Sequence, residues 1–373
     1  MNETILNNVI YKMICIFRTD DSKDINGKSY PKPNDLIAEF TGKKELVKRL
    51  KEIQNNKEVA EKSHPIKQPI DCLLCDATKI STTRFVLGQY VWENSLVHYV
   101  EKHSIKPYEK FIDFLFNYIL DKKTSQIKIF GKIVSRETIR YIKLNRNQLM
   151  ILDALMRHGG YTKRYADKKN KKIYRYSEHA GFLSIDSNKI DKIIVSGDTI
   201  RVDKGDNEIY LPGNIDDALK YEYIFHTHPP TPRPGGRASE GMIYEFPSVS
   251  DMLHFIDTYN DGKTIGSLVM TSEGLYNITK KNIDNKKIEV DEDKFYDEMK
   301  IVIRNIHIKA IHIHGVKFTT YKFYSQIAQD TQFINTINDS LNKFGLKIDF
   351  FPRIRDTKGS WVVDTIHLPI LEK

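Results

Sequence analysis

Two histidines one residue apart, His226 and His228, stand in the segment Tyr221–Pro229, and that spacing limits what the surrounding chain can form. On an extended strand, residues i and i+2 project from one face, so both imidazoles must enter the same space. Further on, Pro247-Ser248-Val249-Ser250-Asp251 reads as the opening of a helix over Asp251–Tyr259. A carboxylate in a first helical turn is favoured electrostatically. Two neutral imidazoles and one carboxylate make a three-ligand zinc set whose fourth position is left for water. An ion held in that way lowers the pKa of its water towards 7. Taken singly, each group also has a plain structural reading: a surface histidine pair, a helix cap at Asp251, a turn residue at Ser248.

Hydrolysis by such a site needs a base near the water, and Glu178 in Ser177-Glu178-His179-Ala180-Gly181-Phe182-Leu183 is the candidate. Ser248 is the candidate hydrogen-bond donor to the oxyanion that develops during attack. His179 should point to the opposite strand face, packed or solvated. His254, one turn beyond Asp251, reads as a helix-surface residue or a support for the site.

The joint order Glu178-x-x-Gly181-x-Leu183, His226-x-His228-Pro229 and Ser248-x-x-Asp251 closely resembles the JAMM (JAB1/MPN/Mov34) zinc metallopeptidases over roughly residues 138–280. The stretch Gly266–Met270 followed by Ser272-Glu273-Gly274-Leu275-Tyr276 is similar to the family's continuation. The resemblance implies zinc on His226, His228 and Asp251, with Glu178 and Ser248 as catalytic groups. It also implies a peptidase or isopeptidase acting on protein or peptide substrates, including ubiquitin-like conjugates. The chain departs from the family at Pro229–Pro247, a longer link that is expected to rise beside the metal as a cleft wall or cover. Some relatives in that family are non-catalytic scaffolds, so a structural or interaction protein on the same frame is the alternative.

A second constellation lies earlier. Cys72-Leu73-Leu74-Cys75, with His98 and His103 on an expected helix, offers four zinc ligands for a structural, finger-like centre. The span between Cys75 and His98 exceeds the usual finger length, and a pair of buried thiols with unrelated histidines is the other reading. Such a finger would dock protein or nucleic acid. Cys15 lies in an apolar run and reads as a buried thiol.

The fold class expected is α/β (α+β): a central MPN/JAB-like mixed sheet flanked by helices, with additions at both ends. The segments drawn are an amino-terminal helical extension at 1–62, a zinc-finger-like helical unit at 63–125, the metallohydrolase domain at 126–285 and a carboxy-terminal α+β extension at 286–373. Lys44–Ala60 reads as helix, Gln148–Met156 as a helix closed by Gly159-Gly160, and Lys163–Lys172 as a basic loop. Ile301–Phe318 reads as strand, with His312 and His314 on one face and His307 on the other.

The net charge of +9 admits an acidic partner, nucleic acid included, although the excess is spread along the chain. No apolar run has the length of a signal peptide or membrane span, so a soluble intracellular protein of cytoplasm or nucleus is expected, with no membrane partner. The Asn, Ile and Lys bias suits a large DNA virus, which places the protein in infected cells or virions. The terminal regions are the expected contacts for protein partners.

Overall fold

The computed structural model describes residues 1–118 apart from 8, 20 and 21, the strand pair at 126–129 and 132–135, and residues 140–370 apart from 167–169, 173, 187–188, 202–210, 212–218, 231 and 283–285. The class is mixed α and β, and the chain divides into two units, Met1–Lys123 and Thr124–Lys373. No helix among the described residues is long and apolar enough to cross a membrane.

Unit 1 is built on a five-stranded sheet ordered β1-β2-β5-β4-β3: β1 Asn2–Leu6, β2 Val9–Met13, β3 His64–Ile70, β4 Ser81–Leu87 and β5 Tyr90–Glu93. Four helices accompany it: α1 Lys43–Asn55, α2 Lys57–Glu61, α3 Ser95–His103 and α4 Glu109–Asn117. The two amino-terminal segments drawn from the sequence are therefore one structure. Residues 1–62 are not a helical extension, because β2 pairs in parallel with β5 through Lys12↔Tyr90 and Met13↔Val91. Nor is residues 63–125 a helical unit. Val91 and Trp92 lie on a strand, and helix begins only at Ser95. Cys15 is buried, and burial pushes its thiol up to about 12.

Glu93 ties the layers of unit 1 together. Its carboxylate takes Arg18 at 2.6 Å and Arg84 at 3.1 Å, and it accepts the Ser81 hydroxyl. Burial alone would raise the Glu93 pKa, but the two guanidiniums and Ser81 hold it below the usual range.

In unit 2, β6 Gln126–Ile129 pairs with β7 Lys132–Ser135 as a hairpin. The main sheet has eight strands in the order β17-β16-β15-β14-β11-β12-β8-β20. They are β8 Arg140–Leu144, β11 Ala180–Asp186, β12 Lys189–Val195, β14 Tyr223–His228, β15 Gly266–Thr271, β16 Gly274–Lys280, β17 Leu346–Pro352 and β20 Ile366–Ile370. Short strands β9 Arg164–Ala166, β10 Tyr174–Glu178 and β13 Ile200–Arg201 form a side sheet, and β18 Ile354–Arg355 pairs with β19 Trp361–Val362. One face packs on α5 Arg146–Thr162 through Leu149, Leu152 and Met156. The other packs on α6 Val249–Asp261, α7 Glu292–His314 and α8 Gln332–Leu341.

Residues 286–373 are no separate extension, since they supply both outer strands of that sheet. β17 pairs with β16 from Gly274↔Pro352 to Lys280↔Leu346, and β20 pairs with β8. Ile301–Phe318 is largely helix and not strand. Its abundant β-branched residues suggested a sheet, but the buried positions Phe295, Met299, Ile306 and Ala310 follow a helical stripe. Asp291 caps the first turn by accepting Lys294 N–H, and Gly315 ends the helix with a positive φ. His307 is thereby buried, and His307, His312 and His314 are placed by helical turns and not by strand alternation. Within Lys163–Lys172, Arg164–Ala166 is strand, paired to β10.

Gly159 and Gly160 do not close α5 but lie inside it, where they admit neighbours. A Cβ on Gly159 would stand 2.0 Å from the Ser177 carbonyl oxygen, and one on Gly160 would stand 3.2 Å from Pro229 and Pro230. We therefore expect Gly159→Ala to lower stability by about 1–3 kcal/mol through overpacking. Gly197→Ala, where a methyl meets nothing within 4 Å, should stay within about 0.5 kcal/mol. Urea titrations of the two variants check the contrast, and equal midpoints would show that the helix relaxes freely.

A second expectation concerns pH. The folded state holds Glu93 deprotonated more strongly than the unfolded chain does. Its contribution is therefore present above the ordinary value of about 4.3 and is lost as pH falls through the lower folded value. Glu93→Gln should cost about 2–3 kcal/mol near pH 7. It should also flatten the acid loss of hydrogen-exchange protection in β4 and β5. An unchanged acid slope would remove Glu93 from that role.

Candidate metal centres

Strand register brings Glu178 to the histidines. Ala180 lies opposite His226 and Gly181 opposite Phe225 in the antiparallel pair β11–β14. One step further, the Thr227 N–H donates to the His179 carbonyl at 2.9 Å, and the His179 N–H donates to Thr227 Oγ1 at 3.0 Å. Glu178, the last residue of β10, where it pairs with Ile200, directly precedes this contact and so stands beside the histidines. Gly181 is small because a Cβ there would stand 1.9 Å from the Ile194 oxygen.

The crossover brings Asp251. β14 and β15 are parallel, from Tyr223↔Gly266 to His228↔Thr271, with α6 between them in sequence. A helix that returns the chain between parallel strands starts near the carboxyl end of the first, where open α/β sheets collect ligands. Ser248 caps α6 by accepting Asp251 N–H at 3.1 Å, while the Asp251 carboxylate accepts Ser248 N–H at 2.6 Å. This reciprocal box fixes the aspartate in its first-turn position.

The three expected ligands meet. His226 Nε2 lies 3.1 Å from His228 Nε2 and 3.2 Å from Asp251 Oδ1, and His228 Nε2 lies 3.4 Å from Asp251 Oδ2. Tetrahedral bonds of about 2.0–2.1 Å would set ligand atoms about 3.3 Å apart. The His228 Nδ1 contact to the Glu245 carbonyl at 3.2 Å requires a ring N–H there, so Nε2 is the nitrogen that can exchange its proton for a cation. Burial disfavours charge on His228, yet Glu178, Asp251 and Glu245 together push it up to about 10. Burial likewise opposes the Asp251 charge, but the two histidines hold its carboxyl well below the usual range. The pocket is thus anionic enough to hold a cation, and the residues fit a divalent ion.

Glu178 stands beside this cluster on the wall of a cleft of about 790 Å³ that also exposes His228, Ser248 and Asp251. Burial raises the Glu178 pKa, with Asp251 acting in the same direction against His228, His226 and Arg237. His226 is 1% exposed and lies behind the others.

The segment Pro229–Pro247 folds inward. Ile243, Tyr244 and Phe246 are buried; Tyr244 donates to the Ile327 carbonyl, and Phe246 packs on Tyr276 and His307. Arg237 pairs with Glu245 at 3.0 Å, and the Glu245 N–H donates to buried Glu273 at 2.7 Å. Sequence reasoning missed Glu245 and Arg237, and also the α7 wall of the cleft, where Tyr296, Lys300, Arg304 and Ile308 line the space. The caps at Asp291 and Gly315 were the signal for that helix. His179 turns away to α5, its Nε2 3.0 Å from His158 Nδ1, and burial with His158 and Lys163 lowers it to about 4. His254 is partly buried on α6 and is not among the clustered ligands.

In unit 1, Cys72, Cys75, His98 and His103 also converge, with their donor atoms all within 4.8 Å of one another. Both cysteines are free.

Asp251→Asn separates capping from ligation, because the amide oxygen can still accept Ser248 N–H while the charge is lost. We expect the metal-free protein to lose about 1–3 kcal/mol, because the buried histidines lose the charge they pair with while the cap remains. Metal affinity at this site should fall by at least about tenfold, read by titration with zinc. Unaltered affinity would exclude Asp251 as a ligand.

No family profile and no solved structure matches the chain. A relative of Acanthamoeba polyphaga mimivirus, "Uncharacterized protein R413", is 30% identical over 342 residues, which span 88% of this chain and 93% of the relative. The chain belongs to the family of that mimivirus protein.

Proposed function

We propose that unit 2 is a zinc-dependent peptidase or isopeptidase of the JAMM type, built on an MPN-like sheet. The observation that carries the reading is the meeting of His226, His228 and Asp251 at the carboxyl end of β14 with Glu178 beside them on an open cleft. A zinc ion held by these three groups supplies Lewis-acid activation of water and of the substrate carbonyl.

The chain's own residues account for the rest. Glu178, with its pKa raised by burial, is suited to accept a proton from the attacking water and return it to the leaving nitrogen. Ser248 Oγ already accepts from the Asp251 N–H, so its hydroxyl hydrogen is free to stabilise the oxyanion. The Glu245 carbonyl holds His228 in the tautomer that presents Nε2 to the cluster. The cleft seats an extended segment of a protein or peptide substrate. Isopeptide-linked ubiquitin-like conjugates are the first class to test.

The test is cleavage of an isopeptide- and peptide-linked panel by the parent and by Glu178→Gln, with bound metal measured in both. The expected result is retained metal and a loss of at least about 10²-fold in kcat/KM. Equal cleavage by the two proteins would remove Glu178 from the chemistry. A metal-loaded parent that cleaves nothing would favour a non-catalytic interaction protein on the same frame.

A further inference from the structure

The remaining cluster lies wholly in unit 1 and plays no part in the hydrolase reading. Cys72 and Cys75 sit on the loop between β3 and β4, whereas His98 and His103 belong to α3, and the loop is shaped around the sulfurs. The Cys72 N–H donates to the Ala77 carbonyl at 2.8 Å, closing a tight turn, and the Leu74 N–H points at Cys72 Sγ at 3.4 Å. The Leu73 N–H donates to the Tyr99 hydroxyl at 3.1 Å, which brings the loop onto α3.

Four donors then face one point. Cys72 Sγ lies 3.3 Å from His103 Nε2, Cys75 Sγ lies 3.4 Å from His98 Nε2, and the two Nε2 atoms are 3.2 Å apart. Bonds of about 2.3 Å to sulfur and 2.0–2.1 Å to nitrogen, arranged tetrahedrally, require separations of about 3.3–3.6 Å. Two thiolates and two imidazoles are borderline-soft ligands. They suit zinc and disfavour magnesium or calcium, which bind oxygen. With four protein ligands no position is left for water or substrate, which is the form of a structural site and not a catalytic one.

The geometry points to a closed Cys72–Cys75–His98–His103 zinc centre that staples the β3–β4 loop to α3 and stabilises unit 1. It differs from a protruding finger, because Leu96, Tyr99 and Val100 of the same helix are buried. The centre is also independent of the hydrolase reading, since its ligands and those of unit 2 share no residue.

The full-length reduced chain, reconstituted with cobalt(II), tests this directly. Only a site with cysteine ligands gives a thiolate-to-cobalt charge-transfer band, and the parent should show it. A His226→Ala/His228→Ala variant should keep the band while losing the other metal equivalent. Cys75→Ser alters a partly exposed loop position. It should weaken zinc binding at this site by at least about tenfold and abolish the extra thermal stability that zinc gives the parent. A parent that binds cobalt without the band would overturn the assignment, as would a Cys75→Ser protein with the parent's full metal content and band. Because the parent's spectrum needs no variant to fold, the assignment is decided even if Cys75→Ser aggregates.

Discussion

The candidate metal site of unit 2 depends on one strand pairing. Ala180 lies opposite His226, and the His179–Thr227 contacts carry the chain from there to Glu178 beside the histidines. Side chains alternate across a sheet, so a slip of one residue between β11 and β14 would send the carboxylate to the other face. Several contacts hold that register. Phe182 and Phe225 are fully buried on opposite faces, and the Thr227–His179 pair extends the ladder beyond the end of β11. A buried face on each side makes slippage expensive. The site is therefore a by-product of core packing on the two strands that carry it.

The longer link that follows His228 is packed into the wall of the candidate site. Its proline- and glycine-rich first half turns the chain out of β14. Its second half returns as Ile243-Tyr244-Glu245-Phe246, buried beneath α7 and α8. Glu245 then serves through three groups: its carbonyl fixes His228, its N–H reaches Glu273, and its carboxylate binds Arg237. Burial, reinforced by Glu273 and Glu178, raises the Glu245 pKa to about 7 despite Arg237 and His228. Glu273 meets its own need for partners through Tyr276 and Ser272. The β15–β16 turn and the returning segment are thereby joined behind the ligand histidine.

What the sequence disclosed and what it hid follow from the range of the forces involved. The convergence of the candidate ligands was legible because their geometry is local: i, i+2 on a strand for His226 and His228, a capping position for Asp251, and a Cys-x-x-Cys turn for Cys72 and Cys75. The α7 wall was hidden because Ile301, Val302, Ile303 and Ile306 favour strands intrinsically. Only burial against Tyr244 and Phe246, together with caps at both ends, decides for helix. Gly159-Gly160 misled for a similar reason. Glycine is a common residue at helix ends, but here a neighbouring strand and Pro229–Pro230 occupy the space a side chain would fill. The pairings of β2 with β5, β17 with β16 and β20 with β8 are long-range, and no local pattern names these partners.

Those long-range pairings explain why a hydrolase domain ending near residue 285 would not be a complete structure. β17 covers the edge of β16 along seven paired positions, and without it this wholly buried strand would present an open ladder. Arg353, just past β17, is 1% exposed and donates to the Ser272 and Thr271 carbonyls as well as to Asp153 on α5. Removing it would leave those carbonyls without their donor and Asp153 with Arg157 alone, directly behind the turn that carries Glu273. Glu273 in turn holds Glu245, and Glu245 orients His228. The path from the carboxy-terminal strands to the ligand cluster is thus a short chain of buried hydrogen bonds, and the division into domains that composition suggests cuts through it.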